Sequence, residues 1–271
     1  MAAKSPEFKL VFKQFYLIIL FEFKVMTHSS DNYYKSEQLA EDFYCYVWQG
    51  MGNNCNSCLF ADVIRGERPH ALVDPGHLAN EMGEPCFDYL VKAIEDSGLN
   101  ADDIGLVINT HSHPDHCQAN EALVTKNQAV VTLSKEEDEF RATLGEGIYS
   151  MLGIKAPRFT PLFYLKEGTL DLGAKNRISL QVLLTPGHSP GSVCLYWPEN
   201  KILISGDVVF YGSIGRTDFP GGSLSQLKGS IDRLAQLDVG CLVPGHSTEL
   251  GSVIKGKRNV ERNFQSIKLF F

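Results

Sequence analysis

Between positions 110 and 116 the chain reads Thr110-His111-Ser112-His113-Pro114-Asp115-His116, which places three histidines and a carboxylate within six positions. Imidazole and carboxylate are donors that zinc, iron and manganese accept, and core packing does not explain so many of them together. Any fold this chain adopts must bring that run beside further ligands. Residues 103–109, Asp-Ile-Gly-Leu-Val-Ile-Asn, read as a short buried strand that ends at Thr110. His111 and His113 lie two apart on its extended continuation and so point to one side. Pro114 ends the extended run and suits a first helical turn, so Asp115 and His116 open a helix expected to reach residue 125.

The remaining histidines supply candidates for the rest of a metal site. Among the eight in the chain, His188 and His246 each follow a Pro-Gly pair, in Thr185-Pro186-Gly187-His188 and Val243-Pro244-Gly245-His246. Each pair closes an apolar, strand-like stretch, residues 178–184 and 240–243, so a turn delivers an imidazole at a strand end in both cases. Residues 201–207 form another such stretch that ends in Gly206-Asp207. A carboxylate there would be costly if buried without a cation. Asp74, in Ala71-Leu72-Val73-Asp74-Pro75-Gly76, ends a further strand and is a candidate to accept the second N–H of a metal-bound imidazole.

His111, His113, Asp115, His116, His188, Asp207 and His246, in that order, resemble the ligand set of the metallo-β-lactamase-fold hydrolases. The resemblance runs from Phe43 to His246 and implies an α/β fold, a four-layer αββα sandwich with a two-metal site at one edge of its sheets. It further implies that His111, His113 and His188 hold one ion, that Asp115, His116 and His246 hold the other, and that Asp207 bridges them. Asp115 and Asp207 are then the catalytic carboxylates. An aspartate at the bridging position argues against β-lactam hydrolysis.

Residues 212–222 contain Gly215-Arg216-Thr217-Asp218-Phe219, which is similar to a loop of the glyoxalase II-like branch. That branch includes thioester hydrolases and persulfide dioxygenases. Arg216 and Asp218 are expected to brace this loop, with Arg216 and Tyr211 as candidate substrate contacts. Glyoxalase II enzymes carry a longer helical domain after the last metal histidine, whereas residues 247–271 follow it here, so the resemblance is to a short form. Lys255, Lys257, Arg258 and Arg262 in that tail are read as the solvated face of a terminal helix.

The expected cofactors are two divalent ions, zinc first, with iron or manganese as alternatives. The expected substrate is a small molecule with a thioester, a glutathione-linked one such as hydroxyacylglutathione among the options, with esters and lactones as neighbours. Two other readings stand beside it. One is a mononuclear iron persulfide dioxygenase using chiefly His111, His188 and Asp207; the other is a metal-binding or redox-sensing module without turnover.

With 271 residues and 44% hydrophobic side chains, the chain can build one sizeable core, placed at residues 31–271 as a single domain. A net charge of −7 argues against a nucleic-acid surface. Seven cysteines, an odd number, and no secretory signal of the usual form point to a reducing cytoplasm. Cys55 and Cys58 form a Cys-x-x-Cys with no partner pair for a zinc knuckle; Cys45, Cys194 and Cys241 read as small buried hydrophobes. Residues 1–30 are set apart as an N-terminal extension: an added strand, an interfacial segment, or translated sequence upstream of a start at Met26, with the last preferred. Charges interrupt its apolar run too often for a membrane span. Along the rest of the chain, strands are expected at 43–48, 57–63, 70–73, 129–133, 162–166, 178–184, 192–197, 201–205 and 241–243. Helices are expected at 85–97, 135–144, 224–236 and 252–266.

Overall fold

Strands that are apolar on both faces need cover on both sides, and here that cover comes as four layers. The computed structural model describes residues 33–173 and 178–271; the readings made for residues 1–30 lie outside the described residues. A seven-stranded sheet sets β1 (Tyr34–Ala40), β2 (Phe43–Trp48), β3 (Ser57–Phe60), β4 (His70–Val73), β5 (Ile104–Ile108), β6 (Val130–Ser134) and β7 (Phe163–Leu165) side by side. A six-stranded sheet runs β8 (Gly168–Leu172), β9 (Ile178–Leu184), β10 (Val193–Trp197), β11 (Ile202–Gly206), β14 (Cys241–Pro244), β15 (Ile254–Lys255). β12 (Val209–Phe210) and β13 (Ser213–Ile214) form a separate hairpin.

Period-two alternation assigns each strand face to a layer. Phe43, Cys45 and Val47 of β2 join Ile178, Leu180 and Val182 of β9 and Ile202 and Ile204 of β11 in the core between the sheets. The other face of β2, Tyr46 and Trp48, packs with Phe87, Leu90 and Ile94 of α1 (Cys86–Asp96). On the far side, Leu203 of β11 and Leu242 of β14 pack with Leu227, Ile231 and Leu234 of α6 (Leu224–Leu234) and with Val260 and Phe264 of α7 (Lys257–Ile267). Leu227, Ile231 and Leu234 recur at helical spacing, and Ser223 caps the helix by accepting from Gln226 N. Burying each such side chain stabilises the fold by about 1.5–3 kcal/mol.

Strand direction is what places the site. β10 is antiparallel to both β9 and β11, and β14 is parallel to β11, so β9, β11 and β14 all end at one edge of their sheet. β4 and β5 are likewise parallel. The segments carrying Asp74, His111, His188, Asp207 and His246 leave from these ends. The sheets are tied together there by Val193 N donating to Thr110 O at 2.9 Å and Asn56 N to Gly245 O at 2.7 Å.

Several elements depart from the expected ones, each through a tertiary contact. The helix expected from His116 to residue 125 is broken into α2 (Pro114–Cys117) and α3 (Asn120–Asn127). Ala119 N donates to Gly76 O, and the buried Asn120 amide donates to Asn109 Oδ1, which pulls the chain out of a continuous helix. The helix expected at 135–144 stops as α4 (Lys135–Phe140), widens over Arg141–Gly145, and resumes as α5 (Glu146–Met151). The last helix starts at Lys257 instead of 252 because Ile254 pairs with Leu242 as β15, and Gly256, at φ +93°, turns the chain between them. β1, β8, β12, β13 and β15 were not expected. Among the described residues no helix is long and apolar enough to cross a membrane.

Candidate metal centre

Four strand ends converge to build the centre. After β5, His111 and His113 follow in extended backbone, and Pro114 starts α2 so that Asp115 and His116 turn back over the same spot. The turn after β9 brings His188, the end of β11 brings Asp207, and the end of β14 brings His246. All seven residues fall into three donor groups, His111/His113/His188, His111/His116/Asp207 and Asp115/His116/His246, with the donor atoms of each group within 4.8 Å of one another.

The contacts between these groups are short. His113 Nδ1 lies 2.8 Å from His188 Nε2, and His116 Nε2 lies 3.2 Å from His246 Nε2. Asp207 stands between them: Oδ1 is 3.2 Å from His116 Nε2, and Oδ2 is 3.5 Å from both His188 Nε2 and His246 Nε2. Asp115 Oδ2 is 3.2 Å from His246 Nε2 and accepts from the Asn53 amide at 2.7 Å. His111, His113, His116 and His188 are buried, as is Asp207, whereas Asp115 and His246 are half-buried.

Burial and the neighbouring imidazoles hold His111 well below the ordinary histidine value, and burial with His188 takes His113 down to about 3. Both are neutral and ready to donate lone pairs. Burial would lower His116 too, but Asp207 and Asp74 raise it; His246 is raised against burial by Asp207 and Asp115. Burial opposes ionisation of Asp115 and Asp207, yet the histidines beside them hold both carboxyls well below the usual range.

This donor set fits divalent ions on an observation independent of the motif. His111 Nε2 and Asp207 Oδ1 are buried without a hydrogen-bond partner, an expensive arrangement unless a cation completes it. The supporting contacts aim the lone pairs inward. His116 Nδ1 lies 2.9 Å from Asp74 Oδ2 and His188 Nδ1 lies 2.8 Å from Arg216 O, so both rings carry their proton outward and turn Nε2 to the centre. Asp74 also accepts from Thr110 N at 2.8 Å and Thr110 Oγ1 at 2.6 Å, from a left-handed backbone (φ +52°) that aspartate tolerates better than most residues.

Arg216 meets the centre through its carbonyl. Its guanidinium pairs bidentately with Asp218 at 2.7 Å and lies 3.7 Å over the Phe219 ring, which packs edge-on against His113. Tyr211 is half-buried, and its carbonyl accepts from Thr248 Oγ1. Cys55 and Cys58 are buried and unpaired, Cys45 and Cys194 are buried, and Cys241 is half-buried. Sequence reasoning passed over Glu137, a fully buried carboxylate bonded to both ligand-bearing turns, and Asn53 and Asn109, whose amides reach Asp115 and His116 O. Single acidic and amide residues inside helices or loops carry no spacing signal of their own.

Residues 56–246 match the sequence family described as the Metallo-beta-lactamase superfamily, well over half of the chain. The chain belongs to the metallo-beta-lactamase superfamily. Within that superfamily it is a metallo-hydrolase with His/Asp clusters suited to divalent ions. It is similar to the hydroxyacylglutathione hydrolase GloC of Haemophilus influenzae, at 30% identity over 61% of this chain and 73% of that protein. It is also similar to the human acyl-coenzyme A thioesterase MBLAC2, at 29% identity over 74% of this chain and 76% of that protein. Among solved structures, TTHA1623 in a di-iron-bound form matches with a TM-score of 0.58 and 27% identity, over 79% of this chain and 98% of that one. The two large sheets and these superfamily neighbours agree with the expected αββα sandwich.

Proposed function

We propose that the protein is a dinuclear metallo-hydrolase of the glyoxalase II-like branch that cleaves thioesters of small molecules in the cytoplasm. The observation that carries the reading is Asp207, a buried carboxylate within 3.5 Å of donor atoms from both histidine groups. His111, His113 and His188 would hold one ion, Asp115, His116 and His246 the other, with Asp207 shared. The all-nitrogen-and-oxygen donor set suits zinc, iron or manganese. Two divalent ions, when bound, supply a hydroxide at neutral pH by lowering the pKa of water to about 7, and polarise the carbonyl under attack.

The chain's own residues do the rest. Asp74 and the Arg216 carbonyl keep His116 and His188 in the tautomers that face inward. Neither nucleophile type within the motif is free to act covalently: the Ser112 hydroxyl donates to Glu137 at 2.8 Å, and burial pushes the Cys117 thiol up to about 12. The substrate class follows from the leaving group, since a thiol of pKa about 8.5 departs as thiolate without full protonation. Both named relatives act on acyl thioesters, and seven free cysteines suit a reducing compartment.

Metal analysis of the purified protein, paired with assays on S-lactoylglutathione and on short acyl-coenzyme A thioesters, tests the reading. Two zinc per chain with cleavage of either substrate is expected. One iron per chain with oxygen uptake on glutathione persulfide would overturn it in favour of the dioxygenase.

A further inference from the structure

Glu137 sits in the first turn of α4 with no exposed surface, and its carboxylate gathers donors from two distant segments. Oε1 accepts from Ser112 N at 2.9 Å and Ser112 Oγ at 2.8 Å; Oε2 accepts from Ser189 Oγ at 2.8 Å and Gly191 N at 2.9 Å. Ser112 lies between His111 and His113, and Ser189 follows His188. One carboxylate therefore ties together the two chain segments, one after a strand of each sheet, that carry the all-histidine donor group. The docking is close. Ser134 Oγ, which accepts from Glu137 N, donates to Gly191 O at 2.6 Å, and a Cβ on Gly191 would fall 2.3 Å from Glu137 N. Asp74 braces the other side through His116 and Thr110, and the Thr110 hydroxyl also lies 3.1 Å from His111 Nδ1. The peptide N–H groups of residues 110 and 112 thus go to two different buried carboxylates.

We infer that Glu137 is a positioning residue for the His111/His113/His188 half of the centre alone, so that its loss loosens that metal position and leaves the other in place. The inference rests on the two-metal reading above. A buried carboxyl group held by four donors is rigid, and a glutamine in its place would turn an amide N–H₂ toward N–H or O–H donors on one side. The ligand segments would part there while Asp74 kept His116 in place.

The test is metal titration of the apoprotein with Zn²⁺ and with Co²⁺, for the wild type, Glu137→Gln, Ser189→Ala and the reference variant His188→Ala. Wild type is expected to take two equivalents. Glu137→Gln and Ser189→Ala should keep one at wild-type affinity and bind the other about 10–100-fold more weakly, the usual effect of losing an outer hydrogen-bond partner. The Co²⁺ absorption of their one-equivalent form should match that of His188→Ala. A wild type that takes fewer than two equivalents defeats the two-metal reading itself. A two-metal wild type whose variants retain both ions at full affinity, or lose both together, overturns the role of Glu137. Should Glu137→Gln fail to fold, Ser189→Ala, which removes a single hydroxyl, decides the question.

Discussion

Gly245 presses against Asp207: a methyl group on its Cα would lie 2.3 Å from Asp207 Oδ1 and 2.9 Å from His116 Cε1. The residue before the last ligand must therefore be glycine for reasons of space. Gly245→Ala is expected to fold, since its surroundings are the centre and not the core, but to displace Asp207. A displacement near 1 Å costs on the order of 100-fold in rate. Steady-state kinetics with a circular-dichroism control checks this; wild-type kcat/KM would show that the carboxylate tolerates the shift.

Asp207→Ala removes the one oxygen donor that faces both histidine groups. Turnover should vanish and metal content should fall below two per chain, as measured by elemental analysis on the same preparation. Retention of both ions with normal kinetics would show that Asp207 does not bridge.

Arg216→Ala separates the two roles of that residue. The carbonyl that accepts from His188 Nδ1 remains, so metal content should not change. The pair with Asp218 is exposed and screened by solvent, so the melting temperature should move little. What changes is the packing of Phe219, and with it the wall beside His113; a raised KM with metal content intact is the expected result.

His70 gives a pH dependence that is independent of the metal ligands. It is buried on β4, its Nδ1 accepts from Asp62 N at 3.2 Å, and burial lowers its pKa, opposed in part by Asp62 and Asp103. The unfolded chain therefore takes up this proton at higher pH than the folded one. Its contribution to stability is complete above the unfolded value of about 6.5 and is lost as pH falls below it. Denaturant melts of wild type and His70→Gln between pH 7.5 and 5 should show a shallower acid slope for the variant. Parallel slopes would assign the acid sensitivity elsewhere.

The ligand motif was legible because it is local: His111, His113, Asp115 and His116 announce themselves in six positions, and each Pro-Gly-His marks a strand end by its own turn chemistry. The inner strands were legible for a similar reason, since β2, β4, β5, β9 and β11 are apolar runs with sharp boundaries. Elements that depend on distant partners were not. β1, Tyr-Lys-Ser-Glu-Gln-Leu-Ala, is an edge strand with one poorly buried face and looks polar in isolation. β15 is two residues long and exists only because Leu242 pairs with Ile254. The interruption between α2 and α3 is set by Gly76, far away in sequence, and by Asn109 on the other side of the motif. Glu137 was invisible for the same reason: as one acid among four in Lys135-Glu136-Glu137-Asp138-Glu139, its burial is decided by Ser112, Ser189 and Gly191.

The parallel pairing of β11 with β14 sets Gly206 opposite Pro244, one residue before Asp207 and two before His246. A slip of one residue in that pairing would exchange the two faces of β14. It would leave much of the strand's apolar surface covered, yet carry His246 away from Asp207. The meeting of His246 with Asp207 is in this sense a readout of correct pairing: a chain whose strands sit one place out of step can be compact and still lack its centre.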